Sequence, residues 1–106
     1  MNQFEELQMD VHRTAVKKGW WDVPREDGTI LCLIHGEVSE AMEALRKGDE
    51  PSEKIPEYSQ LDEELADIVI RVMDYAESRG IPLFEVMKAK AKYNEGRSHR
   101  HGNKQF

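Results

Sequence analysis

Apolar residues recur at intervals of three and four through most of this chain, and glycine interrupts the pattern at three places where a helix would end. That periodicity admits helices and little else. Phe4, Leu7, Val11 and Ala15 mark a first helix over about 2–18, stopped by Gly19. Ile30, Ile34, Val38, Ala41 and Leu45 mark a second over 27–47, closed by Gly48. A loop with Pro51 and Pro56 leads to a third over 59–79, which carries Leu61, Leu65, Ile68, Val72 and Tyr75 and ends at Gly80. Pro82 opens a fourth, to about 94. No stretch alternates with period two for long enough to form a strand. The expected fold is all-α, an antiparallel bundle of about four helices in one domain spanning 1–106. A core drawn from 106 residues is adequate but small, so a partner subunit would help, and a homo-oligomer is expected.

Charge and composition exclude several functions. A net charge of −6 opposes general binding to nucleic-acid polymers, which clustered Lys and Arg would serve. No apolar run approaches the roughly 20 residues of a membrane span, the first helix is too polar for a signal peptide, and Cys32 has no second cysteine to pair with. These features read as a cytoplasmic protein. Cys32 and the five methionines read as packing residues, and His12 and His35 as structural. The acids crowd the middle of the chain, whereas 88–104 holds Lys88, Lys90, Lys92, Arg97, Arg100 and Lys104 against Glu95 alone. An acidic body with a basic tail suits a metal-bridged phosphate ligand, although solvated basic termini are common.

The position of the acids matters more than their number. At about 100° per residue, Glu37 projects into the arc of Ile30, Leu33, Ala41 and Ala44, with Glu40 at its margin, while Glu43 points away. A carboxylate in an apolar arc costs several kcal/mol unless a cation or hydrogen-bond donors compensate it. Glu64 falls beside Ile68 and Tyr75 on the third helix, and Asp67, Arg71 and Asp74 continue a polar strip along the same edge. Packed side by side, the pairs Glu37/Glu40 and Glu64/Asp67 would offer four oxygen ligands to a hard divalent cation, Mg²⁺ best and Mn²⁺ as substitute. The competing reading is that Arg71 or a lysine neutralises these acids in a salt-bridge network.

Lys90, Asn94 and Arg97 stand at i, i+4 and i+7 and share a face if the fourth helix lasts through Arg97, a combination that can grip phosphate. A frayed, solvated terminus is the alternative. Beyond it, 98–104 (SHRHGNK) either closes over a polyphosphate or stays flexible. Trp20 and Trp21 follow the glycine that ends the first helix, where an exposed indole could stack on a nucleobase and a buried one would simply pack.

Segment 34–45 (IHGEVSEAMEAL) followed by 63–70 (EELADIVI) resembles the paired E-x-x-E and E-x-x-D signature of MazG-like, all-α nucleoside triphosphate pyrophosphohydrolases. The tail 90–97 (KAKYNEGR), continuing to His101 and Gly102, is similar to the C-terminal K-x-x-x-N-x-x-R and H-G segment of small members, and 18–22 (KGWWD) looks like their exit from the first helix. The chain departs at Gly36, where many members have another acid. This resemblance implies hydrolysis of a (deoxy)nucleoside triphosphate to its monophosphate and pyrophosphate. Glu37, Glu40, Glu64 and Asp67 would be metal ligands, with Glu37 or Glu40 doubling as base. Lys90, Asn94 and Arg97 would bind phosphates, Trp20 and Trp21 the rest of the substrate, and the assembly would be a homodimer or dimer-based homotetramer. Two other readings stay open: a non-catalytic helical module that binds a protein partner, and a related hydrolase acting on another nucleotide phosphate.

Overall fold

The computed structural model describes residues 1–97. Four helices occur in the expected order: α1 (Gln3–Lys17), α2 (Asp27–Arg46), α3 (Gln60–Ser78) and α4 (Leu83–Glu95). Each boundary lies within a residue or so of its sequence expectation, because the punctuation acts locally. Gly19, Gly48 and Gly80 have φ of 87°, 96° and 67°, the left-handed region that favours glycine. Each lets the chain fold back on the helix it ends: Trp20 N–H reaches the Ala15 carbonyl at 3.0 Å, Asp49 N–H that of Ala44 at 2.8 Å, and Ile81 N–H that of Ala76 at 2.9 Å. The starts of α1 and α3 are closed by reciprocal caps, Asn2 with Glu5 and Ser59 with Asp62.

α3 is the centre of the fold and packs against both α1 and α2. Its partners run antiparallel to it. Toward one end Asp27 meets Tyr75 and Arg79, and farther along α2 Glu37 meets Arg71. On the other side Gln8 meets Glu77, and His12, one turn on, meets Asp74. The buried apolar set is small: Ile30, Ala41, Ala44, Met73 and Ala76. Met73, 1% exposed, is its most deeply buried member.

The bundle differs from expectation in its fourth member. α4 is held where it begins, by Phe84 against Phe4 with ring centroids 5.5 Å apart, but it contributes no buried residue. The radius of gyration of 16.2 Å accordingly exceeds the about 13 Å of a compact chain this long. Several residues of the expected core stripes are exposed in the single chain: Leu7, Val38, Leu45 and Leu65. Cys32, Met42 and Met87 are exposed too, contrary to their reading as packing residues; periodicity identifies an apolar face without saying which molecule covers it. Among the described residues no helix is long and apolar enough to cross a membrane.

Candidate active site

The α2–α3 hairpin builds the site. Its connection is fastened to the start of α3 at three points: Asp49 Oδ1 accepts from Leu61 N–H at 2.8 Å, Glu50 O accepts from Gln60 N–H at 2.8 Å, and Pro51 bridges to Ser59. Ser52, 2% exposed, sits at the centre of the loop. Its hydroxyl donates to Glu63 Oε1 and accepts from the backbone N–H groups of Lys54 (3.2 Å) and Ile55 (3.1 Å). These bonds fix how the two acidic helices approach each other.

Where they approach, Glu37, Glu64 and Asp67 each offer a carboxylate oxygen within 4.8 Å of the others. All three are partly buried. Burial, then the neighbouring charges of Asp67, Glu37, Glu63 and Glu40, push the Glu64 carboxyl above its ordinary value. Burial and the charges of Glu37 and Glu63 do the same to Asp67, opposed by Lys54 and Arg71. A converging set of oxygen donors that repel one another fits a hard divalent cation, which replaces repulsion with coordination. Glu40 is exposed and outside this trio, although its charge reaches Glu64. Arg71 Nε donates to Glu37 Oε1 at 3.1 Å, so the salt-bridge alternative is realised at Glu37, while at Asp67 Arg71 and Lys54 oppose the upward shift without cancelling it.

Two concavities flank the carboxylates. A groove of about 620 Å³ between α1 and α3 is lined by Trp20, Asp67, Ile70, Arg71 and Asp74, with Val11 and Thr14 opposite. The Arg25 and Arg71 guanidinium carbons lie 4.0 and 4.4 Å from the centre of the Trp20 ring. On the other flank a polar hollow of about 320 Å³ is lined by Glu40, Glu43, Lys47, Gln60, Glu63 and Glu64. Lys54 lines both.

The remaining expected site residues are distributed unevenly. Trp20 forms a wall of the large groove, but Trp21 does not line it; its indole N–H donates to Asp74 Oδ1 at 2.9 Å. Asp74, 7% exposed, also pairs with His12 Nδ1 at 2.7 Å, and the His12 and Trp21 rings meet edge to face. Lys90 and Asn94 lie on α4, away from both concavities. The helix ends at Glu95, so Arg97 does not extend the helical face as expected; its guanidinium stands 5.8 Å from the centre of the Tyr93 ring, and the Lys90 ammonium 4.7 Å from the same ring. The 98–104 tract, with His101 and Gly102, lies outside the described residues.

Sequence reasoning missed Ser52, Lys54 and the His12–Asp74–Trp21 cluster. A lone serine and lysine in a polar loop carry no spacing signal, and His12 and Asp74 are 62 residues apart. The partial signal was Asp74 itself, a carboxylate on the polar edge of an otherwise core-facing helix.

The sequence matches the MazG nucleotide pyrophosphohydrolase domain over residues 25–101. No curated protein and no solved structure gives a significant match. The matched span takes in both acidic helices, the loop that fixes their register and α4, and with it the chain belongs to the MazG nucleotide pyrophosphohydrolase family.

Proposed function

We propose that this protein hydrolyses a nucleoside or deoxynucleoside triphosphate to its monophosphate and pyrophosphate in an Mg²⁺-dependent reaction, with Mn²⁺ able to substitute. The observation that carries this reading is the convergence of Glu37, Glu64 and Asp67 beside a groove with an aromatic wall. In the proposal these three carboxylates and Glu40 hold the cation. When bound, the cation neutralises phosphate charge and stabilises the leaving pyrophosphate. Glu37 or Glu40 accepts the proton of the attacking water as its oxygen bonds to phosphorus and the bond to the departing phosphoryl oxygen breaks. Of the two, Glu40 suits the role because Glu37 is engaged by Arg71, whereas Glu40 is exposed to solvent. Trp20 takes the base by stacking, with Arg25 or Arg71, which both stand over its ring, giving way. Trp21, engaged by Asp74, supports that wall.

A homodimer or dimer-based tetramer is part of the same proposal. Leu31, Val38, Met42 and Leu45, spaced seven, four and three apart on α2, form an exposed apolar stripe suited to another helix. In the same proposal Lys90 and Asn94 of α4, and Arg97 just beyond its end, serve a site across the interface. Met42→Glu should shift the sedimentation coefficient toward that of a single chain; an unchanged value would move the interface elsewhere.

The activity is tested by incubating the pure protein with canonical NTPs and dNTPs plus Mg²⁺ and identifying products. Pyrophosphate with the matching monophosphate, abolished by EDTA, is expected. Orthophosphate would overturn the cleavage position and favour the related hydrolase. No product with any nucleotide, and no response to EDTA, would favour a non-catalytic module.

A further inference from the structure

Lys54 is the described cation that lines both concavities flanking the carboxylates. Its side chain is 82% exposed, and the ammonium rests 3.7 Å from Glu63 Oε2. Its backbone is tied down: the N–H is bonded to the buried Ser52 hydroxyl, which also donates to Glu63. Pro51 bridges to Ser59 and Ser52 N–H bonds the Tyr58 carbonyl at 2.8 Å, closing the loop around that hydroxyl. The loop therefore presents one long, exposed cation from a base fixed by hydrogen bonds, beside the clustered carboxylates. The flank with Trp20 is largely apolar in its lining, whereas the other is polar and contains Lys47. A nucleotide with its base at Trp20 and its phosphates beside Asp67 would lie in the groove that Lys54 also lines.

We propose that Lys54 is a phosphate-binding residue for the outer phosphates of the substrate, exchanging its contact with Glu63 for a non-bridging oxygen of the portion that leaves as pyrophosphate. This rests on the triphosphate reading above. The exchange is chemically economical: Glu63, whose side chain is 16% exposed, keeps its Ser52 bond, while the lysine gives up a long ion pair for a charge-assisted bond to phosphate.

The experiment compares wild type, Lys54→Ala and Lys54→Arg for binding of a non-hydrolysable deoxynucleoside triphosphate and of the monophosphate, by titration calorimetry with Mg²⁺. Thermal unfolding is measured in parallel. Loss of a charge-assisted contact should weaken triphosphate binding by Lys54→Ala about tenfold or more. Monophosphate affinity and Tm should stay unchanged, and arginine should recover much of the loss. Equal weakening of both ligands would overturn the assignment to the outer phosphates, and unchanged triphosphate affinity would overturn any phosphate role for Lys54. Wild-type protein that binds and hydrolyses triphosphates beside an unaffected Lys54→Ala variant would sink this inference alone. Wild-type protein that binds no triphosphate would sink the functional reading with it.

Discussion

The α2–α3 hairpin and α4 carry opposite charge and are built in opposite ways. In the hairpin, Ser52, Asp49 and Glu63 tie the connecting loop to α3, and the paired acids meet inside one chain. In α4 the contacts of its cations are mostly with its own helix: Lys88 with Glu85 and Phe84, and Lys90 with Tyr93. Only its first turn is packed, through Phe84 on Phe4. The hairpin therefore fixes its acids within one chain, while α4 beyond its first turn presents mostly exposed side chains. A cation site demands fixed donor positions because oxygen ligands must converge within a few ångströms. A phosphate-gripping arm can be ordered by the ligand or by a second subunit, because long Lys and Arg side chains span several ångströms and charge attraction is not strongly directional.

The comparison breaks most sharply at Glu64. Glu64→Gln should lower kcat by about a hundredfold to ten-thousandfold with helix content by circular dichroism unchanged. Retained turnover would mean that the trio is not the catalytic centre. The next largest effect separates packing in the two regions. Met73→Ala opens a cavity beneath α3 and should cost about 2–5 kcal/mol in denaturant unfolding, whereas Met87→Ala on α4 should stay within about 0.5 kcal/mol in a single chain. A large loss from Met87→Ala would reveal that α4 is buried in the assembly. Arg97→Ala should raise KM about tenfold while leaving kcat and Tm nearly unchanged, as expected for a lost phosphate contact; a constant KM would remove the tail from the site.

The smallest expected effect sharpens the electrostatic side. Folding raises the Glu64 pKa through burial and the surrounding acids, so the folded state holds that proton more tightly than the unfolded chain. Ionised Glu64 thus destabilises the cation-free fold above the unfolded carboxylate range, and the cost vanishes as pH falls through that range. Without divalent cation at neutral pH, Glu64→Gln should melt slightly higher than wild type, and the two melting curves should converge in acid. Added Mg²⁺ should raise the wild-type Tm and reverse the order. A Tm difference independent of pH would show that Glu64 ionisation does not strain the fold.

Much of the architecture was legible before any coordinates. Glycine at 19, 48 and 80 marked three helix ends because only a left-handed residue lets the chain turn back there, and the acids at 37 and 64 stood out because helical geometry put them against apolar neighbours. Other features were not legible. The bonds of Asp74 to His12 and Trp21 span 62 and 53 residues, and no local pattern encodes them. Lys54 looked like any loop lysine until Ser52 was found buried behind it.

Local preference and periodicity, properties of a few neighbouring residues, were enough to determine four helices, their ends and which faces were apolar. Tertiary structure alone decided which of those faces are covered within one chain, that Glu37 joins Glu64 and Asp67 while Glu40 stays at the rim, and that α4 remains outside the packed three. The physical reason is that helix formation is settled within a turn or two of the chain. Convergence of carboxylates depends instead on the rotation and depth with which whole helices pack, and small changes in either move a side chain from the site to solvent.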